Sequence, residues 1–422
     1  MVIGRPALVT VVLLGTLSCA AQEGWSVLAI PDAGRYDDVF FINDTMGWAA
    51  GGPSGWIGRT VDGGETWTLP FTSTDYLRSI EFADANNGFC GSLDGTLYRT
   101  TDGGNSWTDI APGITPNPPG ICGLAAPSTS TIYGCGLWSG PAFIIKSVDG
   151  GDNWTYIDMS AYATRLVDIH FTSADTGFAT GTAAPASDGG VILYTTNGGT
   201  NWITVCTTNV LTDIVWKIQR LGALHWFASI YSDPVNDDTR TLRSSDGAMS
   251  WEQVTVSGDY TYTEMVGFID PLHGWVGGDL ILWETFDAGD NWSPTTFGSG
   301  HNRFFRVNDS TAYLSGQFIY RYQDNAPTSI AQTGLRPIIH TLTVSPNPAD
   351  GRLTIEILLD RPTIVELSVL AWTGATTSQL LRGRTSNGYY SFNVDLSASG
   401  AGTYLVVLKT NEGLHYRKVV VN

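Results

Sequence analysis

The 422-residue chain is poor in charged residues, and basic residues are the scarcest of them. Only 15% of residues are charged, and 22 Lys and Arg stand against 40 Asp and Glu, which gives a net charge of −18. Nucleic acids and anionic membrane surfaces both select proteins with a basic face. We therefore expect neither of them as a partner, and we do not expect an integral membrane protein.

Cysteine is also scarce, and common motifs of metal and nucleophile chemistry are missing from the sequence. Five Cys and six His are scattered, without a CxxC pair or a Cys/His spacing typical of a metal site. The sequence contains neither a GxSxG nucleophile motif nor a phosphate-binding glycine loop. We therefore expect no cofactor, no metal ion and no catalytic residue.

Long apolar runs are missing except at the N-terminus. There Arg5 precedes an apolar stretch at residues 7–17, and the small residues at positions 19–21 end it. This order is typical of a secretory signal peptide, here residues 1–21, and the run is too short to span a membrane stably. Lipid attachment at Cys19 is the alternative, although the preceding residues place leucine unfavourably for it.

Glycine and tryptophan, with 49 and 15 residues, are abundant, and many of them belong to a repeated box such as TTDGGNSW (100–107). Six boxes recur at intervals of 40 to 49 residues, a period typical of propellers and solenoids. Glycine permits a tight turn, aspartate accepts backbone hydrogen bonds, and tryptophan packs between sheets, so we expect a structural role. The box pairs are Asp62 and Trp67, Asp102 and Trp107, Asp149 and Trp154, Asn197 and Trp202, Asp246 and Trp251, and Asp287 and Trp292.

A half-repeat, such as FINDTMGW (41–48) or FADANNGF (82–89), accompanies the boxes. Together the two motifs predict four short strands per repeat, which is the content of one propeller blade. Residues 304–322 supply three strands without a box, and residues 23–31 supply one strand. We therefore predict an all-β, seven-bladed β-propeller over residues 22–322, closed by strand exchange between its two ends, because such closure leaves no open sheet edge.

These motifs resemble those of Asp-box (BNR) propellers, most closely the group similar to photosystem II stability/assembly factors. The resemblance covers residues 23–322 and implies the fold rather than a function. Sialidases share the box, and likeness to them would imply three Arg, a nucleophilic Tyr, a Glu and an Asp. The Arg-Ile-Pro tripeptide of sialidases is missing here, as is the basic patch expected of the assembly factors.

The C-terminal part reads as a separate unit. Residues 323–340 have the composition of a linker, and residues 341–422 alternate as in a small Ig-like antiparallel β-sandwich. Three segments, SPNP (345–348), GTYLV (402–406) and RKVVV (417–421), together resemble the type A C-terminal sorting domain of the type IX secretion system. This resemblance implies the type IX machinery as partner and export through the periplasm to the cell surface or beyond. An ordinary sandwich is the alternative.

Binding residues are expected in the segments where the repeat breaks down, because these form the loops at one end of the propeller channel. Aromatic side chains beside carboxylates and arginines suit a sugar or a protein side chain. The alternative is that the tryptophans pack at strand ends and the charges are solvated. Calcium binding between positions 233 and 238 fits no recognised loop spacing. The candidates are Arg35, Trp56, Tyr76, Arg78, Trp138, Arg165, Tyr231, Asp233, Asp237, Asp238 and Tyr262.

Two further points stay open in the sequence. Cys122 and Cys135 could form a disulfide across a predicted hairpin, with free buried thiols as the alternative. For function we expect a secreted or cell-surface, non-catalytic interaction propeller that binds an extracellular protein or glycan. The alternatives are a glycan-acting, sialidase-like hydrolase and a purely structural surface protein.

Overall fold

A computed structural model describes residues 24–31, 34–232, 238–295, 297–324, 341–359, 363–372, 375–385, 388–410 and 413–422. The predicted signal peptide lies outside these residues. Within the described residues, the regular structure is β-strand apart from two short 3-10 helices, Ala111–Gly113 and Ala186–Asp188.

In the described part of the chain, residues 24–324 form seven four-stranded antiparallel sheets, which we call blades and number along the chain. Each of the first six blades contains four consecutive strands. The seventh contains the last three strands of the propeller together with β1, the first strand. The strands are β1 (Trp25–Val27); in blade one β2 (Asp38–Phe41), β3 (Gly47–Ala50), β4 (Trp56–Thr60) and β5 (Thr68–Thr72); in blade two β6 (Leu77–Phe82), β7 (Gly88–Ser92), β8 (Leu97–Thr100) and β9 (Thr108–Asp109); in blade three β10 (Gly123–Ala125), β11 (Ile132–Cys135), β12 (Phe143–Ser147) and β13 (Thr155–Asp158); in blade four β14 (Ala163–Phe171), β15 (Gly177–Ala183), β16 (Gly190–Thr195) and β17 (Ile203–Thr207); in blade five β18 (Ile214–Leu221), β19 (His225–Tyr231), β20 (Thr239–Ser244) and β21 (Glu252–Ser257); in blade six β22 (Met265–Phe268), β23 (Gly274–Gly277), β24 (Leu282–Thr285) and β25 (Ser293–Thr295); and in blade seven β26 (Arg303–Arg306), β27 (Thr311–Ser315) and β28 (Ile319–Gln323).

The blades close into a ring. The first strands of successive blades contact one another, and β26 of blade seven contacts β2 of blade one. Strand β1 pairs antiparallel with β28, with Trp25 opposite Tyr322, and so covers the edge that β28 would otherwise expose. The Trp25 ring is 3% exposed and lies 5.2 Å from the Trp275 ring and 5.7 Å from the Phe297 ring.

The two repeated motifs meet at the seams between blades. At the seam between blades one and two, Trp48 stacks on Phe82 at 3.5 Å, and the box Trp107 meets Phe82 edge-on at 5.8 Å. A Cβ on Gly88 would lie 2.5 Å from the Phe82 ring, which explains the glycine of the half-repeat. The same three-ring arrangement recurs as Tyr313, Phe41 and Trp67, as Tyr133, Phe171 and Trp202, and as Phe227, Phe268 and Trp292.

Each box closes its own turn by side-chain hydrogen bonds. In box two, Asp102 Oδ1 accepts from the Ser106 amide at 2.9 Å, and Thr100 Oγ accepts from the Gly104 amide at 2.9 Å. Trp107 Nε1 donates to the Gly104 carbonyl at 3.2 Å. Asn197 serves box four in the same way, since its Oδ1 accepts from the backbone at 2.9 Å.

Residues 341–422 form a second β unit made of two sheets. One sheet has the order β29 (Thr341–Ser345), β30 (Arg352–Leu359), β33 (Gly388–Asp395). The other has the order β32 (Thr376–Thr385), β31 (Thr363–Ala371), β34 (Gly402–Thr410), β35 (Gly413–Val421). Ile355, Leu367 and Val406 belong to the fully buried core of this unit. The predicted fold class, an all-β propeller followed by a smaller β unit, is confirmed.

The ring closure gives the first prediction. Trp25→Ala should lower the free energy of unfolding by about 3–5 kcal/mol, because a large buried ring that links β1 to blades six and seven is lost. Val27→Ala is the control, since Val27 is on the same strand but 42% exposed, and it should have little effect. The measurement is denaturant unfolding of residues 22–422. Equal stability of the two variants would contradict closure through β1.

The boxes give a second prediction. Hydrogen bonds from Ser106 and Thr100 lower the pKa of Asp102 to about 2, and similar bonds lower the pKa values of Asp149 and Asp246 to about 2. A carboxylate with a pKa below its unfolded value stabilises the fold above pH about 4, and this contribution is lost as the pH falls towards 2.

Asp102→Asn should therefore melt below the wild type at pH 7 but approach it near pH 2.5, because the amide keeps the Oδ1 acceptor and does not titrate. The measurement is the melting temperature by circular dichroism across this pH range. The exposed Asp350, changed to Asn, is the control outside the boxes. A constant difference between Asp102→Asn and the wild type at all pH values would refute this account.

Candidate functional site

The loops at the end of the channel opposite the boxes enclose a cavity of about 570 Å³, which we call the channel-mouth pocket. These loops join the fourth strand of one blade to the first of the next, or the second strand of a blade to its third. Seven of the eleven candidate residues line the pocket. They are Arg35, Tyr76, Arg78, Trp138, Arg165, Tyr231 and Tyr262.

Of the remaining four candidates, Trp56 and Asp238 are described by the structure and do not line the pocket. Trp56 is 4% exposed and packs against the Tyr36 ring at 5.0 Å inside blade one, because strand β4 turns it into the core rather than towards the channel. Asp238 forms an ion pair with Arg240 at 2.9 Å. Asp233 and Asp237 lie outside the described residues.

One wall of the pocket is built from ion pairs. Arg35 donates to Asp37 at 2.7 Å and to Glu264 at 2.6 Å. Arg78, which is 3% exposed, lies 3.3 Å from Asp37. Burial raises the pKa of Glu264, and the neighbouring Arg35 and Arg78 only partly offset this effect. The wall therefore brings arginines of blades one and two against carboxylates of blades one and six.

Another part of the pocket lining is aromatic and partly exposed. The Trp216 ring stacks on Tyr231 at 4.9 Å, and the Arg78 guanidinium lies 5.6 Å from the Trp216 ring centre. The hydroxyls of Tyr231 and Tyr262 are 2.5 Å apart. Burial, followed by this hydrogen bond, raises the pKa of Tyr262. Trp138, 47% exposed, stands at the rim and offers an apolar surface to solvent.

A ladder of buried charges continues from the pocket into the channel. Asp168 accepts from Arg303 at 2.9 Å and lies 3.5 Å from Lys217 Nζ. Burial alone would raise the pKa of Asp168, but these two cations hold it below the usual value for aspartate. Arg303 also lies 3.7 Å from Asp38. Because these charges come from different blades, they tie the first strands together around the axis.

Sequence reasoning missed Glu264, Trp216 and Asp213 of the pocket and the whole channel ladder. The sequence does contain a signal for these residues, which is a charged residue near the start of an otherwise apolar first strand. Examples are Asp168 in VDIHF (167–171) and Lys217 in WKIQRL (216–221). In a chain with so few charges, a charge at this repeat position indicates the channel.

Cys122 and Cys135 are free thiols. The register pairs Gly123 with Cys135, so Cys122 is displaced by one residue and belongs to the opposite face of the blade. Within the described ranges no cluster of three or more His, Cys, Asp or Glu could hold a metal ion.

The comparisons with known proteins concern both units. Residues 343–422 match the family described as the secretion system C-terminal sorting domain. No curated protein matches the chain. The chain is similar to a solved structure described as YCF48 bound to D1 peptide, with a TM-score of 0.55 and 19% identity, over 71% of this chain and 97% of that chain.

Two further solved structures resemble the chain. One is an ancestral GH74 enzyme, with a TM-score of 0.54 and 14% identity, over 94% of this chain and 64% of that chain. The other is PorZ, a surface component of the type IX secretion system of Porphyromonas gingivalis, with a TM-score of 0.53 and 13% identity, over 93% and 60%. At such identities the likeness shows the fold alone.

The sorting-domain match agrees with the resemblance read from the three C-terminal segments, and the YCF48 likeness agrees with the group suggested by the boxes. Among the described residues, no helix reaches the length and apolarity that crossing a membrane requires. The C-terminal unit is thus a secretion system C-terminal sorting domain, and the chain that carries it is an all-β propeller protein exported to the cell surface or the extracellular space.

Proposed function

We propose that this protein is a non-catalytic binding propeller that holds a polypeptide segment, carrying a carboxylate next to an apolar side chain, in the channel-mouth pocket. The sorting domain delivers it outside the cell, where such a segment is presented by another protein. The observation that carries the proposal is a surplus of hydrogen-bond donors in the pocket wall.

Three donors make up this surplus. Arg78 Nη2 and Trp216 Nε1 are buried and have no hydrogen-bond partner in the described structure. Arg165 lines the same pocket, and no ion pair joins it to another described residue. Buried donors without partners are costly, and a carboxylate would satisfy them with charge-assisted hydrogen bonds.

The proposal that the ligand carries an apolar side chain rests on two exposed apolar residues at the pocket rim. Trp138 and Leu211 are 47% and 65% exposed, and both line the pocket. A rim that combines an indole with an aliphatic side chain suits the side chains of a polypeptide better than a sugar ring covered with hydroxyls. The similar YCF48 structure, described as bound to D1 peptide, supports the idea that a propeller of this fold can hold a peptide.

A glycan-acting function is the second candidate, because three arginines, three tyrosines and the carboxylates of Glu264 and Asp213 line one pocket. Their pairing argues for binding instead. Glu264 is held by Arg35 at 2.6 Å, and Asp213, which is fully buried, is held by Arg240 at 2.9 Å. A nucleophilic tyrosine needs a lowered pKa, whereas the pKa values of Tyr76 and Tyr262 are raised.

The test uses residues 22–422 and a random peptide library, followed by calorimetry with the selected peptides. Trp138→Ala and Arg165→Gln should each weaken binding about tenfold or more without changing the melting temperature, because each removes a ligand contact but no core packing. One control is Arg220→Gln, which changes an exposed arginine outside the pocket and should leave binding unchanged. The other is Trp107→Ala, which should lower the melting temperature because it removes packing at a blade seam.

If the library yields no binder, or if binding is unchanged in both pocket variants, the proposed function is wrong. Turnover of an aryl sialoside that is lost in Tyr262→Phe would instead support the hydrolase.

The sorting domain has its own test. Deleting residues 341–422 should leave a folded propeller that stays in the periplasm, because the export signal is removed while the propeller core is separate from it. The measurement is fractionation of the producing cells together with the melting curve of the truncated protein. Surface display of the truncated protein would contradict this assignment.

A further inference from the structure

Blades five and six depart from the repeat on the box face, the propeller face opposite the channel-mouth pocket. Blades one to six share a hydrogen bond between the box and the turn that follows the first strand of the blade. In each, the backbone carbonyl of one residue in that turn accepts from the amide three residues after the first Ser or Thr of the box. In blades one to four this residue is polar, and in blades five and six it is leucine. The residues are Thr45, Asn86, Ser130, Asp175, Leu224 and Leu272.

Blade six departs from the repeat a second time at the same place. Ala288 stands where other boxes have glycine and has a φ of 63°, a conformation that alanine adopts only at a cost. Its amide donates to the Leu272 carbonyl at 3.0 Å, so the alanine methyl group and the Leu272 side chain belong to one small surface. We call Leu272 and Ala288 the apolar platform.

The sorting domain contacts this platform. Leu272 is only 7% exposed because it packs in one cluster with Leu405 and Val407 of β34, which are 6% and 7% exposed. Ala288, Leu370 and Trp372 complete the cluster. Strand β34 is therefore apolar on both faces, since its alternate residues Tyr404, Val406 and Leu408 fill the core of the sorting domain.

Two polar contacts fix the orientation of this packing. His225 Nε2 lies 2.6 Å from the Trp372 carbonyl, and the Tyr416 hydroxyl donates to Asp270 at 3.2 Å. The other Asp270 oxygen accepts from the Leu272 amide at 2.8 Å, so the residue that shapes the turn also receives the sorting domain. Lys418 Nζ lies 5.5 Å from the Trp372 ring centre.

We propose that the apolar platform is a docking surface built for the sorting domain of this same chain, and that it shields the outer face of β34 until that domain is displaced. A patch of this size would bind weakly between separate molecules, but within one chain the effective concentration is on the order of millimolar. Docking on the box face leaves the channel-mouth pocket open, so ligand binding and export do not compete. The inference does not depend on the proposed function.

The experiment is zero-length carbodiimide cross-linking of residues 22–422, read by peptide mass spectrometry. Lys409 lines the same groove between the two units as Glu252 and Asp290, so it should couple to one of these carboxylates in the monomer. Leu272→Glu should reduce the yield of this cross-link about tenfold or more, because a leucine contact is replaced by a charge that docking would bury.

Thr45→Glu places the same substitution at the equivalent exposed turn of blade one and should leave the yield unchanged. Leu272→Asn, which copies the residue of blade two, should reduce the yield with an unaltered melting temperature, and this excludes loss of fold as the cause. A mixture of isotope-labelled and unlabelled chains identifies cross-links between molecules. No Lys409 cross-link in the wild type, equal yields in Leu272→Glu and Thr45→Glu, or a cross-link formed only between chains would each overturn the proposal.

Discussion

Packing of three aromatic rings at the seams between blades is the interaction on which the rest of this molecule depends. At four seams a ring from one blade stacks on the phenylalanine of the next, and the box tryptophan closes the edge. Offset and edge-on pairs of this kind contribute beyond the area that they bury. The aspartate of the box stabilises the turn that positions the tryptophan. The glycines lack a side chain and so let the rings pack closely against the turn.

The ring of blades in turn decides where charge can be placed. The first strands crowd together at the axis, and charges there are removed from solvent, so they survive only as pairs. Arg303 with Asp168 joins blades seven and four, and Arg35 with Glu264 joins the starts of blades one and six, so each pair links blades that are not neighbours in the ring. The pocket is the open end of this ladder, where Arg78 and Trp216 each keep a buried donor without a partner among the described residues. Scaffold and candidate site are therefore one continuous network of contacts.

The repeats were sufficient to predict the fold class, because period, box and half-repeat each report a local requirement that does not depend on distant residues. Seven candidate residues from the segments that break the repeat do line the pocket, because these loops and the adjoining strand ends are free of the packing demands of the repeat. Trp56 was misplaced because sequence does not reveal which face of a short strand points inward. Glu264 and Trp216 were missed because each belongs to, or directly precedes, a strand that looks like core. The contact between the propeller and the sorting domain could not be predicted from the sequence, because it depends on surfaces formed by distant parts of the chain.

The pairing of β1 with β28 has a consequence for how the chain reaches its native state. Ser26 donates to the carbonyl of Arg321, which is 295 positions further along the chain. A contact of this separation cannot form until nearly the whole propeller sequence is available, and the entropy of closing so long a loop delays it further. The first strand to emerge during synthesis is thus among the last to find its partner. Until that pairing forms, the outer edge of β28 stays open to other strands.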